Sequence, residues 1–345
     1  MKQSFAIGSL IFLFFSCAGD PVESENNPVV SMVDSVPIID SMTYFNQQVE
    51  ENPGNADWLY QRAVFLLAEG EVDRSKYDLE QAIRLDSIHL DARLMYANLQ
   101  LSLTHLDTSK YHYEFILEKD SANTGALMGL SKMYALVPNM AAANAHLSQA
   151  LRIDPNLAEA YFMRGIIYRS DYYETGRKES WERAVSSFQT AVEQDPDYYE
   201  AYIEMGVMYD QSGSDLALEY YNSALDIYPE SQEAWYNIGM YHQNRRNIEE
   251  ALSAYRKINQ IDSTWADPYY NQGYIHLVIT EKLDSAIYFL SLATERDPNY
   301  FQAFNNLGLA YELSGDISNA KKYYQKAIDA NPEFDLAKEN LNSLK

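Results

Sequence analysis

Cysteine is all but missing from this chain: one, Cys17, in 345 residues. A single thiol can neither close an internal disulfide nor build a thiolate metal cluster, so stapling and structural zinc are excluded. Basic residues are scarce, 26 Lys and Arg against 50 Asp and Glu, for a formal net charge of −24. Nucleic-acid affinity comes from cations displacing condensed counterions, so no nucleic-acid partner is expected, and an anionic membrane surface would repel the chain. The apolar run Phe5 to Phe15 is eleven residues long, short of the roughly 20 that a membrane-spanning helix needs. There is no His-Glu-x-x-His, no Gly-x-Ser-x-Gly, no phosphate-cradling glycine loop and no Asp-rich calcium loop, so metal, cofactor and catalysis are not expected. What is plentiful is apolar and aromatic material, 47% and 13% of the residues with 29 Tyr, too much for a disordered polymer.

Lys2, the apolar run, Ser16-Cys17 and an abrupt change to polar, acidic sequence have the layout of an exported segment. The arrangement resembles a bacterial lipoprotein signal, in which the cysteine after a small residue is lipidated and becomes the mature N-terminus; Phe14 departs from the usual Leu. The resemblance implies a signal peptide over 1–16, lipidation at Cys17 and a Gram-negative envelope address, outer membrane included, with the face of the membrane left open. An ordinary secretory signal with an incidental Cys is the alternative. Residues 17–37 contain Asp20, Glu23, Glu25 and three Pro with no helical or alternating period and read as a tether, able to reach roughly 65 Å at about 3.3 Å per residue.

Beyond the tether the chain repeats. Gly165, Gly206, Gly239, Gly273 and Gly308 share one context, and extending their register gives eight units starting at Ala56, Leu90, Thr124, Ala158, Tyr199, Gln232, Ala266 and Phe301. The eighth position holds Ala63, Ala97, Ser131 and those five glycines; the twentieth holds Ser75, Ser109, Ala143, Ala184, Ala217, Ala251, Ala286 and Ala320. All are small, although only 78 of 345 residues are Gly, Ala or Ser. Facing them in register stand Leu79, Tyr113, Leu147, Phe188, Tyr221, Tyr255, Leu290 and Tyr324, as two closely packed antiparallel helices require. Each unit ends at Pro155, Pro196, Pro229, Pro298 or Pro332, or at Ser87, Ser121 or Ser263, where helix should stop. A period near 34 with this content resembles the tetratricopeptide repeat family. The resemblance covers 56–334 and implies an all-α fold, a right-handed α-solenoid of helix hairpins. Residues 38–55 then form an N-terminal half-repeat cap and 335–345 a C-terminal capping helix.

The same resemblance implies a concave groove lined by positions 2, 5, 6, 9 and 12 or 13 of each first helix. The groove candidates are Asn237, Asn271 and Asn306, an amide row able to hold an extended peptide backbone, with Tyr236, Tyr270 and Tyr274 beside it. An asparagine common in the family's pattern would be the plainer explanation. Acidic residues at position 2, Asp57, Asp91, Glu159, Glu200, Glu233 and Asp267, either oppose the helix dipole or make the groove select basic or neutral segments. A seven-residue insertion in the fourth unit predicts one extra turn on each helix and offers Tyr172, Tyr173, Arg177, Lys178 and Trp181 as an aromatic and basic interface, or else a tolerated loop. His242 and His276 occupy positions where Tyr is usual and read as packing residues. Ser318 and Lys321 match Ser-x-x-Lys spacing without its partner motifs. Asp-Ser steps at Ser35, Ser41, Ser87, Ser121, Ser263 and Ser285 resemble a bacterial O-glycosylation motif.

The expectation is a non-enzymatic, lipid-anchored scaffold that binds protein or peptide segments; the alternatives are an envelope enzyme or solute-binding protein, and a cytoplasmic repeat scaffold. The partner's identity, the biological process and the oligomeric state are not readable from the residues.

Overall fold

A computed structural model describes residues 41–137 and 139–344. Cys17, the signal segment and the tether lie outside the described residues. Within them the secondary structure is helical, with no strand: α1 Ser41–Glu51, α2 Ala56–Ala68, α3 Val72–Leu85, α4 Leu90–Ser102, α5 Leu106–Lys119, α6 Thr124–Leu136, α7 Met140–Ile153, α8 Ala158–Thr175, α9 Lys178–Gln194, α10 Tyr199–Gln211, α11 Leu216–Ile227, α12 Gln232–Asn244, α13 Ile248–Ile261, α14 Ala266–Tyr274, α15 Leu283–Arg296, α16 Phe301–Leu313, α17 Ile317–Ala330 and α18 Asp335–Ser343. A π-helical turn, Ile275–Ile279, continues α14. The helices gather into two compact units, up to Ala160 and from Tyr161 onward. No described helix is long and apolar enough to cross a membrane.

Side-chain size sets the hairpin. In the first unit Ser75 and Ser109, small and fully buried, donate from Oγ to the carbonyls of Ala63 and Ala97 at 2.8 Å, which brings the two helix backbones together. In the second unit the glycines meet aromatic or branched knobs. A Cβ on Gly206 would lie 2.4 Å from Tyr221 Cε1, one on Gly239 2.5 Å from Tyr255 Cε1, and one on Gly165 2.5 Å from the Phe188 ring. Tyr113 faces Ala97 instead of a glycine, and its ring bears on Gly129 of the next hairpin, where a Cβ would come within 2.2 Å. The bulk refused at one contact is accepted at the neighbouring one.

Proline and serine are only part of the stop signal at the end of seven of the eight second helices; α11 has Tyr228 as its C-cap. The preceding acid or amide closes the turn: Asp86, Asp120, Asp154, Asp195, Asp262, Asp297 and Asn331 all have extended backbone. Each accepts the backbone N–H two residues on at 2.8–3.1 Å. Such Asx turns compete with helix for the same N–H groups. They give Ser87, Ser121 and Ser263 a structural reason to follow Asp.

Twelve residues separate the two small positions in hairpins such as Ala63 to Ser75, but thirteen separate Gly273 from Ala286. The extra residue is taken up inside the first helix by the π turn, the usual form of a one-residue helical insertion. At the C-terminal end, α18 buries Ala337, sets Phe334 edge-on to Phe301 at 4.8 Å, and bonds Asn340 Nδ2 to Asn305 Oδ1 at 2.9 Å.

Candidate partner-binding face

The first helices of the last hairpins, α12, α14 and α16, lie side by side, and their facing side chains are linked. Asn271 Nδ2 donates to the Tyr236 hydroxyl at 3.3 Å, and Asn306 Nδ2 to the Tyr270 hydroxyl at 3.2 Å. Sixth-position amides thus tie each hairpin to the fifth-position tyrosine of the one before. Asn271 is buried, while Asn237 and Asn306 are half-buried. Two of the three expected amide donors are therefore turned to the protein. The tyrosines 236, 270 and 274 are half-buried and keep ring surface accessible along the face. Val278 and Leu313, further along these helices, are more than half exposed.

A second row had escaped the sequence reading. At four hairpin junctions the ring just before a first helix lies tilted against the fifth-position ring of the preceding hairpin. Tyr236 and Trp265 are 5.0 Å apart between centroids, Tyr270 and Tyr300 4.9 Å, Phe162 and Tyr198 5.0 Å, and in the first unit Tyr60 and His89 5.2 Å. Two of these leading residues also reach the position-2 acid of the hairpin before them. His89 Nε2 lies 3.1 Å from Asp57 Oδ1, and the Tyr300 hydroxyl bonds to Asp267; burial, with that bond, holds the phenol well above its ordinary range, as a donor. Trp265 Nε1 also donates to Asp267, at 3.2 Å. Extending the repeat alignment by one residue would have shown His89, Tyr198, Trp265, Tyr300 and Phe334 in one column.

The insertion adds a turn to each helix of the fourth hairpin, so α8 has 18 residues and α9 17, against 13 and 14 for α2 and α3. Gly176, at φ +69°, makes the turn between them. Its basic residues each meet an acid at the surface. Arg177 bonds to Asp171, whose carboxyl is held below the usual range by Ser180 and Arg177; Lys178 pairs with Glu182 at 3.0 Å. Trp181 packs edge-on to Tyr209 at 5.4 Å. Tyr173, half exposed, donates to Gln211 Oε1 at 2.8 Å, and Tyr172 lies 5.7 Å from the Tyr173 ring. Beneath them Arg169 bonds to Glu204, whose carboxyl is pushed up by burial and drawn back down by that arginine. The basic residues of the insertion are paired yet stay at the surface, Lys178 84% and Arg177 59% exposed, with Tyr173 as the most exposed ring.

The histidines are packing and hydrogen-bonding groups. His276 is buried, stacked on Phe289 at 5.6 Å, with Nδ1 3.1 Å from Thr280 Oγ1. His242 stands edge-on to Tyr241 at 5.2 Å. In the first unit His112 Nδ1 lies 3.1 Å from Arg93 Nη1; burial and that cation push its imidazole down to about 4, so it is neutral and Nδ1 accepts. Among the described residues no group of three or more His, Cys, Asp or Glu is placed to hold a metal. The crevice beside the insertion, lined by Arg164, Tyr168, Glu179, Glu182, Arg183, Ser186 and Ser187, has neither His nor Cys in its wall.

Residues 208–264 and 301–334 each match the tetratricopeptide repeat. The chain is 26% identical over 200 residues to the BBSome complex member BBS4 of Bos taurus, covering 58% of this chain and 37% of that protein. It is 22% identical over 304 residues to the BBSome complex member bbs-4 of Caenorhabditis elegans, covering 84% and 63%. It thus spans less than two thirds of either relative. Among solved structures, a human IFIT1 dimer with PPP-AAAA superimposes with a TM-score of 0.55 at 19% identity, over 84% of this chain and 67% of that one, a likeness of fold alone. The chain carries tetratricopeptide repeats and has the all-α solenoid fold built from their hairpins.

Proposed function

We propose that the protein is a non-enzymatic scaffold, anchored to the bacterial envelope by a lipid on Cys17, that holds a segment of a partner protein on the first-helix face of its last hairpins. The observation that carries the reading is the accessible row of Tyr236, Tyr270 and Tyr274 on α12 and α14. Aromatic rings supply large contact area at low cost in side-chain entropy, and a stack of hairpins presents such a row as one extended surface. Tetratricopeptide repeats are protein-interaction scaffolds in general, and relatives described as members of a protein complex agree with that role. The anchor rests on the apolar run and Ser16-Cys17; acyl chains would bind at about 0.8 kcal/mol per buried methylene.

One experiment covers both halves. In cells producing the full chain, a photo-crosslinking residue in place of Tyr274 should give a discrete protein adduct in the membrane fraction, and the Cys17→Ala form should release that adduct to the soluble fraction. The same crosslinker in place of Tyr288, exposed on the second helix α15, should not give it. Equal adducts from both positions would move binding off the face, and unchanged membrane retention of Cys17→Ala would remove the lipid anchor.

A further inference from the structure

The face has a chemical preference that follows from what surrounds its rings. Elsewhere in the chain aromatic faces already carry cations: Arg245 over Tyr241 at 3.7 Å, Arg93 over Phe115 at 3.8 Å. Among the described residues no Lys or Arg is seated over Tyr236, Trp265, Tyr270, Tyr274 or Tyr300. The second position of three consecutive first helices is a carboxylate, Glu200 on α10, Glu233 on α12 and Asp267 on α14; Asp267 lies beside these rings, and Glu233, one turn before Tyr236, also accepts from the Tyr199 hydroxyl at 3.4 Å. Among the described residues none of the three has a Lys or Arg within ion-pair distance, whereas Glu204 and Asp210 deeper in the same unit are paired with Arg169 and Arg245. Asp267 joins the two stacks, receiving Trp265 Nε1 at 3.2 Å and the Tyr300 hydroxyl, so both ring pairs are fixed beside its negative charge.

Resting on the reading above, we infer that this face takes a basic, extended segment of the partner, with Arg or Lys side chains laid over the Tyr236–Trp265 and Tyr270–Tyr300 stacks and opposed by Glu233 and Asp267. Cations are drawn to aromatic faces, arginine most often, and the attraction grows where water is excluded. A net charge of −24 steers a basic segment toward the protein before contact. The geometry also sets a spacing. Neighbouring helices pack about 8–10 Å apart, and a polyproline-type strand repeats its face every third residue, about 9.3 Å at 3.1 Å per residue. Arginines at i, i+3 and i+6 therefore match successive hairpins.

The test is fluorescence anisotropy of labelled twelve-residue peptides against the full chain: Arg at every third position, the same composition with its Arg residues together at one end, and Glu in place of every Arg. The spaced peptide is expected to bind at least tenfold more tightly than either other peptide. Glu233→Gln combined with Asp267→Asn, which keeps an acceptor for Trp265 and Tyr300, should weaken it about tenfold with an unchanged circular dichroism spectrum. Glu249→Gln with Glu250→Gln, which removes the same charge from the exposed start of α13, should leave it unchanged. Equal binding of spaced and clustered peptides, or equal loss from both double variants, would overturn seated recognition in favour of general charge attraction. Failure of the spaced peptide while the crosslink at position 274 persists would overturn the basic preference and leave the scaffold reading standing; loss of the crosslink would remove that reading itself.

Discussion

Gly206→Val is expected to destabilise the second unit by about 3 kcal/mol, at the upper end of what overpacking costs in a filled core. Helix propensity alone points the other way, since glycine is worth about 1 kcal/mol less than alanine inside a helix. The steric contact outweighs it: the added Cβ falls 2.4 and 2.5 Å from two ring carbons of Tyr221, whose side chain is buried to within 1% and cannot swing aside. The chain contains its own remedy. The first hairpin sets Ala63 against Leu79, both fully buried, so Gly206→Ala with Tyr221→Leu should return most of the stability. Urea denaturation followed by circular dichroism measures both. A Gly206→Val protein as stable as the parent would show that position 8 is not a close helix contact.

Arg169→Met should cost a comparable amount, about 3 kcal/mol, because removing one partner of a buried ion pair strands the other. Glu204 is only 8% exposed and its ion pair is with Arg169. In the parent, burial raises its carboxyl and Arg169 lowers it; without the arginine only the raising influence is left. A carboxyl raised in the folded state favours folding while protonated, and that advantage is lost as pH rises through its folded value. The Arg169→Met penalty should therefore be smaller at pH 5 than at pH 8. Adding Glu204→Leu should recover stability and abolish the pH difference. A penalty independent of pH would mean that Arg169 acts by packing alone, its stem against neighbouring side chains.

These two sites differ in how far they could be foreseen. The glycine contacts were legible because one requirement, small size where helices cross, leaves a mark at a single column: Gly206, Gly239 and Gly308 face Tyr221, Tyr255 and Tyr324 as the spacing requires. The Arg169–Glu204 pair joins residues 35 apart that occupy different repeat positions, and no column of like residues announces it. The same is true of the insertion, where Arg177 and Lys178 beside the aromatic residues suggested a basic interface. Which acid each cation meets depends on helix phase, and Asp171 and Glu182 are in reach. For the groove the asparagine row was visible, but its role was not. An amide can bond a guest backbone or a neighbouring tyrosine with equal ease, and only the position of the Tyr236 and Tyr270 hydroxyls decides it. The leading aromatics were missed because their chemistry varies, His89, Tyr198, Trp265 and Tyr300, while their place does not.

The most direct test of the scaffold on α12, α14 and α16 is amide hydrogen exchange of the full chain, alone and with the partner recovered through position 274. Partner binding should slow exchange along these three helices, with α13, α15 and α17 little changed. Protection confined to α13, α15 and α17, or to residues 41–160, would contradict it.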